Sequence, residues 1–475
     1  MTEPVVIGVD LGTSAVKIVA LGRDGVVVAS ARCGYPTNRP EPEAAEQDPQ
    51  HWWEALRAAG DTIAAAVSPR RWHAIGLSAM LPTLVELDAD GEPVGPAITW
   101  EDGRAERQAD GLRATFGDDM LYRITGQRVD GRYLAPMHAR LHQLGRAGVT
   151  VAGAKDVLFH RLTGHLLTDP STAAGSAVYD IEQGRWSAEL AAASGIFGLP
   201  EVAASATALP LAQGWVQRWG VPGDLPVVLG AADSVLGALG VGAVAHGDVG
   251  VIAGTSAIVL GIAEQPTHDP ARRYLVTPLA GAGWGLEMDL LAMGSAFDAV
   301  AALFGLGGPA DLLDAAAAVP VDQAPLFLPY LSPGEQGALW DPSLTGTLQG
   351  LRLGMGVGHI GRALLTGIVV ELRRCIDVLA ATTGRSGPVR LGGGSAVSPL
   401  MWQDIADATG RQVWVDPAVT DHSAIGAALF AADAIGAPIV RDQAPQIVEP
   451  RADRYAWWTD CLARHDEARL GQGGR

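Results

Sequence analysis

The sequence predicts an α/β protein with two large domains, and three observations lead to this prediction. The chain has 475 residues, which exceeds the size at which a single hydrophobic core stops growing. Strand-like and helix-like stretches alternate along it, as they do in α/β proteins. From residue 249 the opening pattern begins again, with an apolar strand, a Gly-Thr-Ser turn and a second strand. We therefore place domains at residues 1–245 and 246–440, followed by a tail at 441–475.

The composition is that of a folded and acidic protein. Hydrophobic residues make up 48% of the chain, charged residues make up 18%, and the formal net charge is −18. Such a charge repels nucleic-acid phosphates and anionic lipids, so we expect no nucleic-acid and no membrane partner. A small neutral substrate fits this charge better. A bound nucleotide would need local cations, a metal ion or backbone amides to hold its phosphates.

The cysteines and the N-terminus indicate a cytoplasmic protein. Cys33, Cys375 and Cys461 are far apart and none has Cys-x-x-Cys spacing, so we expect reduced, structural thiols. No basic leader precedes the first strand. No stretch approaches about 18 uninterrupted apolar residues, the length that would indicate a membrane span.

The N-terminal residues predict a three-stranded β-meander followed by a helix. The strands are expected at residues 5–9, 16–21 and 26–31, and an Asp-Gly turn separates the last two. Asp48 and Pro49 are a capping residue and a first-turn proline, so a helix begins there. Apolar residues then recur at helical spacing, which predicts one buried face.

The second half of the chain contains a glycine run between a predicted strand and a predicted helix. A long helix is expected at 357–383, with Gly384 as its C-terminal cap. A strand at 389–391, three glycines at 392–394 and a helix at 399–409 follow. A glycine run in this position is where α/β sheets bind ligands.

Two short hairpins carry residues suited to phosphate binding. In the first, Gly12 lets the backbone approach phosphate oxygens, and Thr13 and Ser14 can donate hydrogen bonds. Asp10 can hold Mg²⁺ directly or through water. A tight hairpin without a ligand uses the same residue types. The second Gly-Thr-Ser, at 254–256, favours a nucleotide clamp, because two hairpins facing each other across a cleft could grip one polyphosphate.

Asp233 is the candidate general base. It follows an apolar strand at 225–229 and stands among small residues at 230–234. An acid in this position is exposed toward a cleft, as a general base must be. The alternative is that Asp233 caps the next helix.

Six short motifs follow one another along the chain: Asp-Leu-Gly-Thr-Ser at 10–14, Trp-Glu-Asp-Gly-Arg at 100–104, Gly-Ala-Ala-Asp at 230–233, Gly-Thr-Ser at 254–256, Pro-Tyr-Leu-Ser at 329–332 and Gly-Gly-Gly at 392–394. Their order resembles the FGGY carbohydrate kinases over nearly the whole chain. The Asp-Gly-Arg step and the Pro-Tyr-Leu-Ser segment make the chain most similar to the xylulokinase branch. The resemblance implies two ribonuclease-H-like, actin-like ATPase domains, with ATP and sugar in the cleft between them.

The resemblance also implies roles for individual residues. Asp233 matches the proton acceptor at the sugar hydroxyl, and Asp10 matches the acid near the metal. The positions that match ATP-binding residues are Gly12, Thr13, Ser14, Gly254, Thr255, Gly294, Gly394 and Ser398. The positions on the sugar side are Met80, Leu81, Trp100, Asp102 and Arg104. Trp100 is also compatible with a core aromatic residue.

Two departures from the family pattern bear on the substrate. Xylulokinases typically carry Met-His-Gly where this chain has Met80, Leu81 and Pro82, so an imidazole that contacts the sugar is absent. After Pro-Tyr-Leu-Ser the family often continues Gly-Glu-Arg-Thr-Pro, whereas residues 333–337 are Pro-Gly-Glu-Gln-Gly. D-xylulose, a ketopentose, is favoured by the overall resemblance; another ketose, a polyol or an aldonate stays open.

These features together predict an ATP- and Mg²⁺-dependent kinase that phosphorylates a terminal hydroxyl of a small sugar. A homodimer is compatible with the sequence but is not specified by it. A non-catalytic sugar or nucleotide sensor on the same scaffold is an alternative, although the joint presence of Asp10, Thr13, Asp233 and Thr255 argues against it. A chaperone-like ATPase would need a peptide-binding module, for which the polar tail is too short.

Overall fold

The computed structural model describes residues 3–332, 337–396, 398–441 and 444–472. These residues form two compact units, each assembled from three stretches of chain. The first unit contains the residues up to Gly240, then Glu264–Gly285 and Asp421–Ala444. The second contains Val241–Ala263, Leu286–Thr420 and the residues from Pro445 onward. Two stretches that follow residue 245 therefore pack with the N-terminal part of the chain.

The N-terminal stretch up to residue 240 alternates strands and helices. Its strands are β1 (Val5–Leu11), β2 (Ala15–Gly22), β3 (Val27–Gly34), β4 (Glu46–Gln47), β5 (Trp72–Ala79), β6 (Thr83–Leu87), β7 (Ala97–Thr99), β8 (Thr150–Gly153), β9 (Leu167–Thr168), β10 (Tyr179–Asp180), β11 (Arg185–Trp186), β12 (Glu201–Val202), β13 (Ala208–Pro210) and β14 (Pro226–Ala232). Its α-helices are α1 (Pro49–Ala66), α2 (Glu106–Phe116), α3 (Asp118–Thr125), α4 (Leu134–Gln143), α5 (Ala154–Thr163), α6 (Pro170–Ala174), α7 (Ala188–Ala193), α8 (Gln213–Trp219) and α9 (Asp233–Gly240). The predicted meander is confirmed in β1, β2 and β3.

The remaining residues follow the same alternation. The strands are β15 (Val249–Ala253), β16 (Ala257–Ala263), β17 (Leu275–Pro278), β18 (Trp284–Leu290), β19 (Leu326–Leu328), β20 (Thr347–Gln349), β21 (Val389–Gly392), β22 (Val413–Val415) and β23 (Gln446–Val448). The α-helices are α10 (Gly294–Leu303), α11 (Pro309–Ala317), α12 (Val357–Thr383), α13 (Pro399–Thr409), α14 (His422–Ala434) and α15 (Tyr455–Leu470). Short 3-10 turns occur at Pro69–Arg71 and Val321–Gln323.

The main sheet of the first unit places three strand ends at one edge. Its strand order is β13-β14-β5-β1-β2-β3. β1 pairs antiparallel with β2 but parallel with β5, and β5 pairs parallel with β14. Because β1, β5 and β14 run in the same direction, their carboxyl ends lie at the same edge, which is where α/β sheets bind ligands.

Close packing against α14 explains why residues 421–444 belong to the first unit. A Cβ atom at Gly8 on β1 would lie 1.8 Å from the carbonyl oxygen of Ala424, and one at Gly76 on β5 would lie 2.0 Å from that of Ala427. A Cβ atom at Gly426 would lie 1.8 Å from the carbonyl oxygen of Leu236 on α9. Glycine at these positions lets α14 approach both the sheet and α9 more closely than any other residue would allow.

The second unit repeats the arrangement of the first. Within its main sheet, β18, β16, β15, β21, β22 and β23 are consecutive neighbours in that order. β15 pairs antiparallel with β16 and parallel with β21, as β1 pairs with β2 and β5. The predicted local repeat therefore extends to the topology of the sheet. The tail from Pro445 onward also joins this unit, because β23 pairs with β22 and the side chain of Trp458 on α15 is buried.

Each helix in the described parts of the chain is either too short or too polar to span a lipid bilayer.

Candidate active site

Asp10 is a buried carboxylate near the carboxyl end of β1. It is 2% exposed, and its Oδ1 accepts a hydrogen bond of 2.8 Å from the hydroxyl of Ser78 on β5. Its Oδ2 lies 3.5 Å from the Nζ of Lys17 on β2. Ser78 and Lys17 both stand opposite Asp10 in the strand pairing. One hydroxyl and one ammonium therefore fix the position of this carboxylate.

The surroundings of Asp10 fit a magnesium ion that is held mainly by phosphate oxygens and water. Across the described ranges, no group of three or more His, Cys, Asp or Glu side chains could hold a metal ion by itself. Mg²⁺ usually binds one or two carboxylates together with substrate phosphates and keeps several waters. A Cβ atom at Gly12 would touch the carboxylate, at 3.4 Å from Oδ2 of Asp10. Because glycine has no Cβ atom, this space beside the carboxylate is open to a ligand.

The first hairpin is anchored through its carbonyl oxygens. Tyr35 donates a hydrogen bond from its hydroxyl to the carbonyl of Gly12, and Gln47 Nε2 donates to the carbonyl of Thr13 at 2.7 Å. Burial and, secondly, the charge of Asp10 raise the pKa of Tyr35, so its hydroxyl stays protonated and remains a donor.

The side chain of Thr13 is held by Trp100. The indole Nε1 donates to Thr13 Oγ1 at 3.0 Å. Because this hydroxyl already accepts a hydrogen bond from the indole, its own proton can be donated to another oxygen. Ser14 is exposed, and Arg32 lies within 3.4 Å of its Oγ. The structure therefore brings Trp100, predicted on the sugar side, into contact with the predicted phosphate hairpin.

Asp102 and Arg104 direct their hydrogen bonds to protein groups. Asp102 is 2% exposed, and its Oδ2 accepts from the backbone N–H of Ala45 at 2.9 Å. Arg104 donates to Asp102 at 2.7 Å and also pairs with Glu41 at 2.8 Å and Glu46 at 2.7 Å. Burial alone would lower the pKa of Arg104, but the three carboxylates outweigh it and raise the pKa. This charged network fixes the loop that carries Trp100.

Asp233 is the first residue of α9 and directly follows β14. Its side chain is partly exposed, and its Oδ1 accepts from the backbone N–H of Ser234 at 2.9 Å. The hydroxyl of Ser423 donates to its backbone carbonyl at 3.0 Å. Asp233 thus lies at the start of a helix and also at the sheet edge where β1 carries Asp10.

Leu81 lies beside the segment that carries Asp233. It is half-buried and packs against an apolar cluster that includes Ala232 and Val235, the residues on either side of Asp233 and Ser234. Met80 is buried, and its backbone N–H donates to the carbonyl of Leu11 at 2.9 Å. Residue 81 therefore packs against the apolar residues that flank the candidate base along the chain.

The second hairpin contacts the N-terminus of α10. The carbonyl of Thr255 accepts from the backbone N–H groups of Met293 and Ser295, each at 3.1 Å, and the N–H of Gly294 donates to the carbonyl of Gly254 at 3.1 Å. A Cβ atom at Gly294 would lie 2.5 Å from that carbonyl oxygen. The absence of a side chain at residue 294 is what allows this approach.

The glycine-rich loop after β21 reaches the same hairpin. Ser395 donates from its Oγ to the carbonyl of Gly254 at 2.9 Å and from its backbone N–H to that of Ala253 at 2.9 Å. Gly394 is exposed and has open space where a Cβ atom would stand. Ser398 precedes α13, and its side chain makes no capping hydrogen bond. Gly254, Thr255, Gly294 and the loop of Gly394 are thus brought together within the second unit.

Some residues of these sites were missed by sequence reasoning. Lys17, Ser78 and Ser395 reach Asp10 or Gly254 only through strand pairing and loop packing, and no local motif marks them. The departure at residues 333–337 falls mostly on residues 333–336, which lie outside the described residues. The preceding Tyr330 is buried, and its hydroxyl donates to Glu371 Oε1 at 2.9 Å.

Comparisons with known proteins define the class of this protein as a phosphotransferase of the sugar kinase class. The model of the FGGY family of carbohydrate kinases matches residues 5–240 with its N-terminal domain and residues 249–435 with its C-terminal domain. The chain is 31% identical over 447 residues to the xylulose kinase of Escherichia coli (strain K12), which covers 90% of this chain and 89% of that protein.

Two solved structures are similar over the full length. The ligand-bound xylulose kinase from Lactobacillus acidophilus has a TM-score of 0.91 and 25% identity, covering 99% of each chain. The gluconate kinase from Lactobacillus acidophilus has a TM-score of 0.91 and 25% identity, covering 100% of this chain and 99% of that chain. The chain belongs to the FGGY family of carbohydrate kinases and has the two-domain, mixed α/β fold of the actin-like ATPase sugar kinases. It is a phosphotransferase that acts on a carbohydrate hydroxyl.

Proposed function

We propose that this protein transfers the γ-phosphoryl group of ATP to a terminal hydroxyl of a small sugar, with Asp233 as the base and a ketopentose such as D-xylulose as the substrate. The observation that carries the proposal is the position of Asp233 at the carboxyl end of β14, on the sheet edge that also presents Asp10. Similarity to xylulose kinase supports the ketopentose. Similarity to gluconate kinase makes an aldonate the competing substrate.

In the proposed reaction, Asp233 accepts the proton of the sugar hydroxyl while the oxygen of that hydroxyl forms a bond to the γ-phosphorus of ATP. The bond from that phosphorus to the bridging oxygen breaks, and ADP leaves. The hydroxyls of Thr13 and Thr255 donate to the phosphate oxygens. Gly12 and Gly254 donate their N–H groups within the hairpins, to the carbonyls of Ala15 and Ser256, and their lack of a side chain lets the phosphates come close. Asp10 would hold Mg²⁺ directly or through water, and the bound ion would spread the charge on those oxygens.

A coupled ADP-release assay across pentuloses, polyols and aldonates tests this function. We expect the highest specificity constant with a ketose or polyol, and slow ADP release when no sugar is added. Sugar-independent ADP release as fast as the best sugar-dependent rate would contradict the kinase assignment. A preference for gluconate over every ketose would instead select the aldonate.

Replacement of Leu81 by His is expected to improve the use of D-xylulose. Leu81 cannot form a side-chain hydrogen bond, so a sugar hydroxyl beside it is left unpaired at a cost of about 1 to 3 kcal/mol, roughly ten- to hundredfold in discrimination. We therefore expect a gain of about tenfold in kcat/KM for D-xylulose in Leu81→His. The wild type should use it weakly or prefer a less polar ketose or polyol.

The measurement compares specificity constants on D-xylulose, D-ribulose, L-xylulose, glycerol and several pentitols. Leu81→Met is the matched control, because it keeps an apolar side chain of similar volume and should show no gain. A wild type that already favours D-xylulose by more than about a hundredfold, with no gain in Leu81→His, would show that residue 81 does not contact the sugar.

Replacement of Thr13 or Thr255 by Val should raise the KM for ATP. Valine keeps the shape but removes a donor to charged phosphate, a bond worth about 1.5 to 3 kcal/mol, so an increase of about tenfold is expected. Thr13→Val should also weaken sugar binding, because the indole of Trp100 loses its acceptor. Thr255→Val should leave the KM for sugar unchanged.

Initial rates at varied ATP and sugar concentrations separate these effects, and Thr13→Ser, which keeps the hydroxyl, serves as the control. If both valine variants bind ATP like the wild type and only sugar affinity falls, the phosphate hairpins are misassigned.

A further inference from the structure

A buried ion pair lies behind the strand end that carries Asp233, and the reaction proposed above does not use it. Asp169 is 0% exposed and precedes α6, while Lys155 on α5 is 1% exposed. The Lys155 Nζ lies 3.0 Å from Asp169 Oδ1. Burial of two charges is unfavourable unless their pairing is close and the remaining oxygen lone pairs are also satisfied. The Asp169 carboxylate meets that requirement, whereas the Lys155 ammonium is held by charge attraction, since its Nζ makes no well-oriented hydrogen bond among the described residues.

Hydroxyl groups surround the Asp169 carboxylate. Its Oδ2 accepts from the hydroxyl of Ser171 at 2.5 Å, from the backbone N–H of Ser171 at 2.9 Å and from the hydroxyl of Ser205 at 3.3 Å. Its Oδ1 accepts from the hydroxyl of Thr172 at 2.6 Å. An ionised carboxylate only accepts hydrogen bonds, so the hydroxyl protons of Ser171 and Ser205 both point toward Asp169.

Ser171 and Ser205 also hold the backbone that leads into Asp233. The backbone N–H of Ala232, the residue before Asp233, donates to Ser171 Oγ at 2.9 Å. The N–H of Gly230 donates to the carbonyl of Ser205 at 2.9 Å. Because the Ser171 proton is already donated to Asp169, the oxygen of Ser171 is a fixed acceptor for Ala232. Asp169 therefore holds the two serines that bind this segment, one at Ala232 and one at Gly230.

A second buried carboxylate nearby lacks these connections. Asp156 is 3% exposed, and its Oδ1 lies 3.8 Å from the same Lys155 Nζ. Its Oδ2 accepts from the backbone N–H of Gly153 at 2.8 Å, at the start of α5. Burial raises the pKa of Asp156 to about 6, and the charge of Lys155 opposes this rise. Asp156 thus shares the ammonium and the burial of Asp169 but serves a different part of the backbone.

We propose that Asp169, with Lys155 as its counter-ion, is a positioning residue for phosphoryl transfer. Through Ser171 and Ser205 it fixes the backbone of residues 230–232, and hence the direction in which the Asp233 carboxylate meets the sugar hydroxyl. The inference rests on the proposed role of Asp233 as the base. A displacement of about 1 Å at a reacting group can lower the rate about a hundredfold, so backbone anchoring of this kind affects turnover strongly.

The test separates positioning from stability. Ser171→Ala removes the acceptor of Ala232 but leaves the ion pair, and Asp169→Asn keeps the shape while replacing one acceptor by a donor. In both we expect kcat to fall at least about tenfold, with KM for ATP and sugar within about twofold. Asp156→Asn, the matched control, should lower the melting temperature but keep kcat within about threefold.

Ser205→Ala perturbs the structure less and can still test the proposal if the other variants fold poorly. Ser205→Ala removes a single hydrogen bond of 3.3 Å, and we expect a fall in kcat of about two- to fivefold. The proposal would be overturned if, in all four variants, the loss of kcat were proportional to the loss of melting temperature. The cluster would then only stabilise the fold. Wild-type kcat in a folded Ser171→Ala would overturn it as well.

A double mutant distinguishes failure of this inference from failure of the proposed function. In an Asp233→Asn background, Ser171→Ala should lower the residual turnover by less than about twofold, because no base is left to position. Fully additive losses would overturn the positioning role. If Asp233→Asn alone turns over like the wild type, the assignment of the base itself is wrong.

Discussion

The Asp233→Asn variant is expected to fold normally and to lose at least about a hundredfold in kcat. Asparagine has nearly the same shape but cannot accept the proton of the sugar hydroxyl, and loss of a general base typically costs about 10² to 10⁴ in rate. Its side-chain oxygen can still accept from the backbone N–H of Ser234, as Oδ1 of Asp233 does at 2.9 Å. The start of α9 should therefore remain intact.

Steady-state kinetics with a saturating sugar, together with a binding measurement for ATP, check this result. Asp48→Asn is a matched control, because Asp48 also stands at a helix start and accepts from the backbone N–H of Gln50 at 2.9 Å. Asp48→Asn should keep the wild-type kcat. If Asp233→Asn binds ATP normally and its kcat is within about threefold of the wild type, Asp233 is not the general base.

The Gly230→Ala variant is expected to destabilise the first unit by about 3 to 5 kcal/mol. Gly230 has a φ of 70°, and the pairing of β14 with β5 shifts register between Val228 and Ala231. A Cβ atom at Gly230 would lie 1.7 Å from the carbonyl oxygen of Leu77 on β5. Alanine would therefore be strained by the left-handed backbone conformation, and its Cβ atom would collide with a central strand.

Gly220→Ala separates these two effects. Gly220 has a φ of 67° but no atom within 4 Å of a Cβ position, so its substitution should cost only about 1 to 2 kcal/mol, the penalty for the left-handed conformation. Urea unfolding measures the loss of stability in both variants. Equal losses at the two positions would mean that the contact with Leu77 contributes nothing.

Local pattern and motif order were sufficient to predict several of the elements and the class of protein. The meander at residues 5–31 and the helix at 357–383 are present as β1, β2, β3 and α12. These elements depend on turn residues, caps and the spacing of apolar residues within one stretch of chain. The order of six short motifs likewise predicted the carbohydrate kinase family, which the family comparison confirmed.

The environment of each candidate site residue was decided only by the tertiary structure. Strand pairing sets Asp10 opposite Lys17 and Ser78, and loop packing brings Trp100 to Thr13. α14 joins the first unit because glycines on β1, β5 and α14 itself permit close approach. The partners in such contacts are often tens of residues apart or more, and their pairing depends on register and on which faces become buried. The sequence by itself therefore determined several elements and the kinase family, whereas folding determined which residues hold Asp10, Thr13 and Asp233.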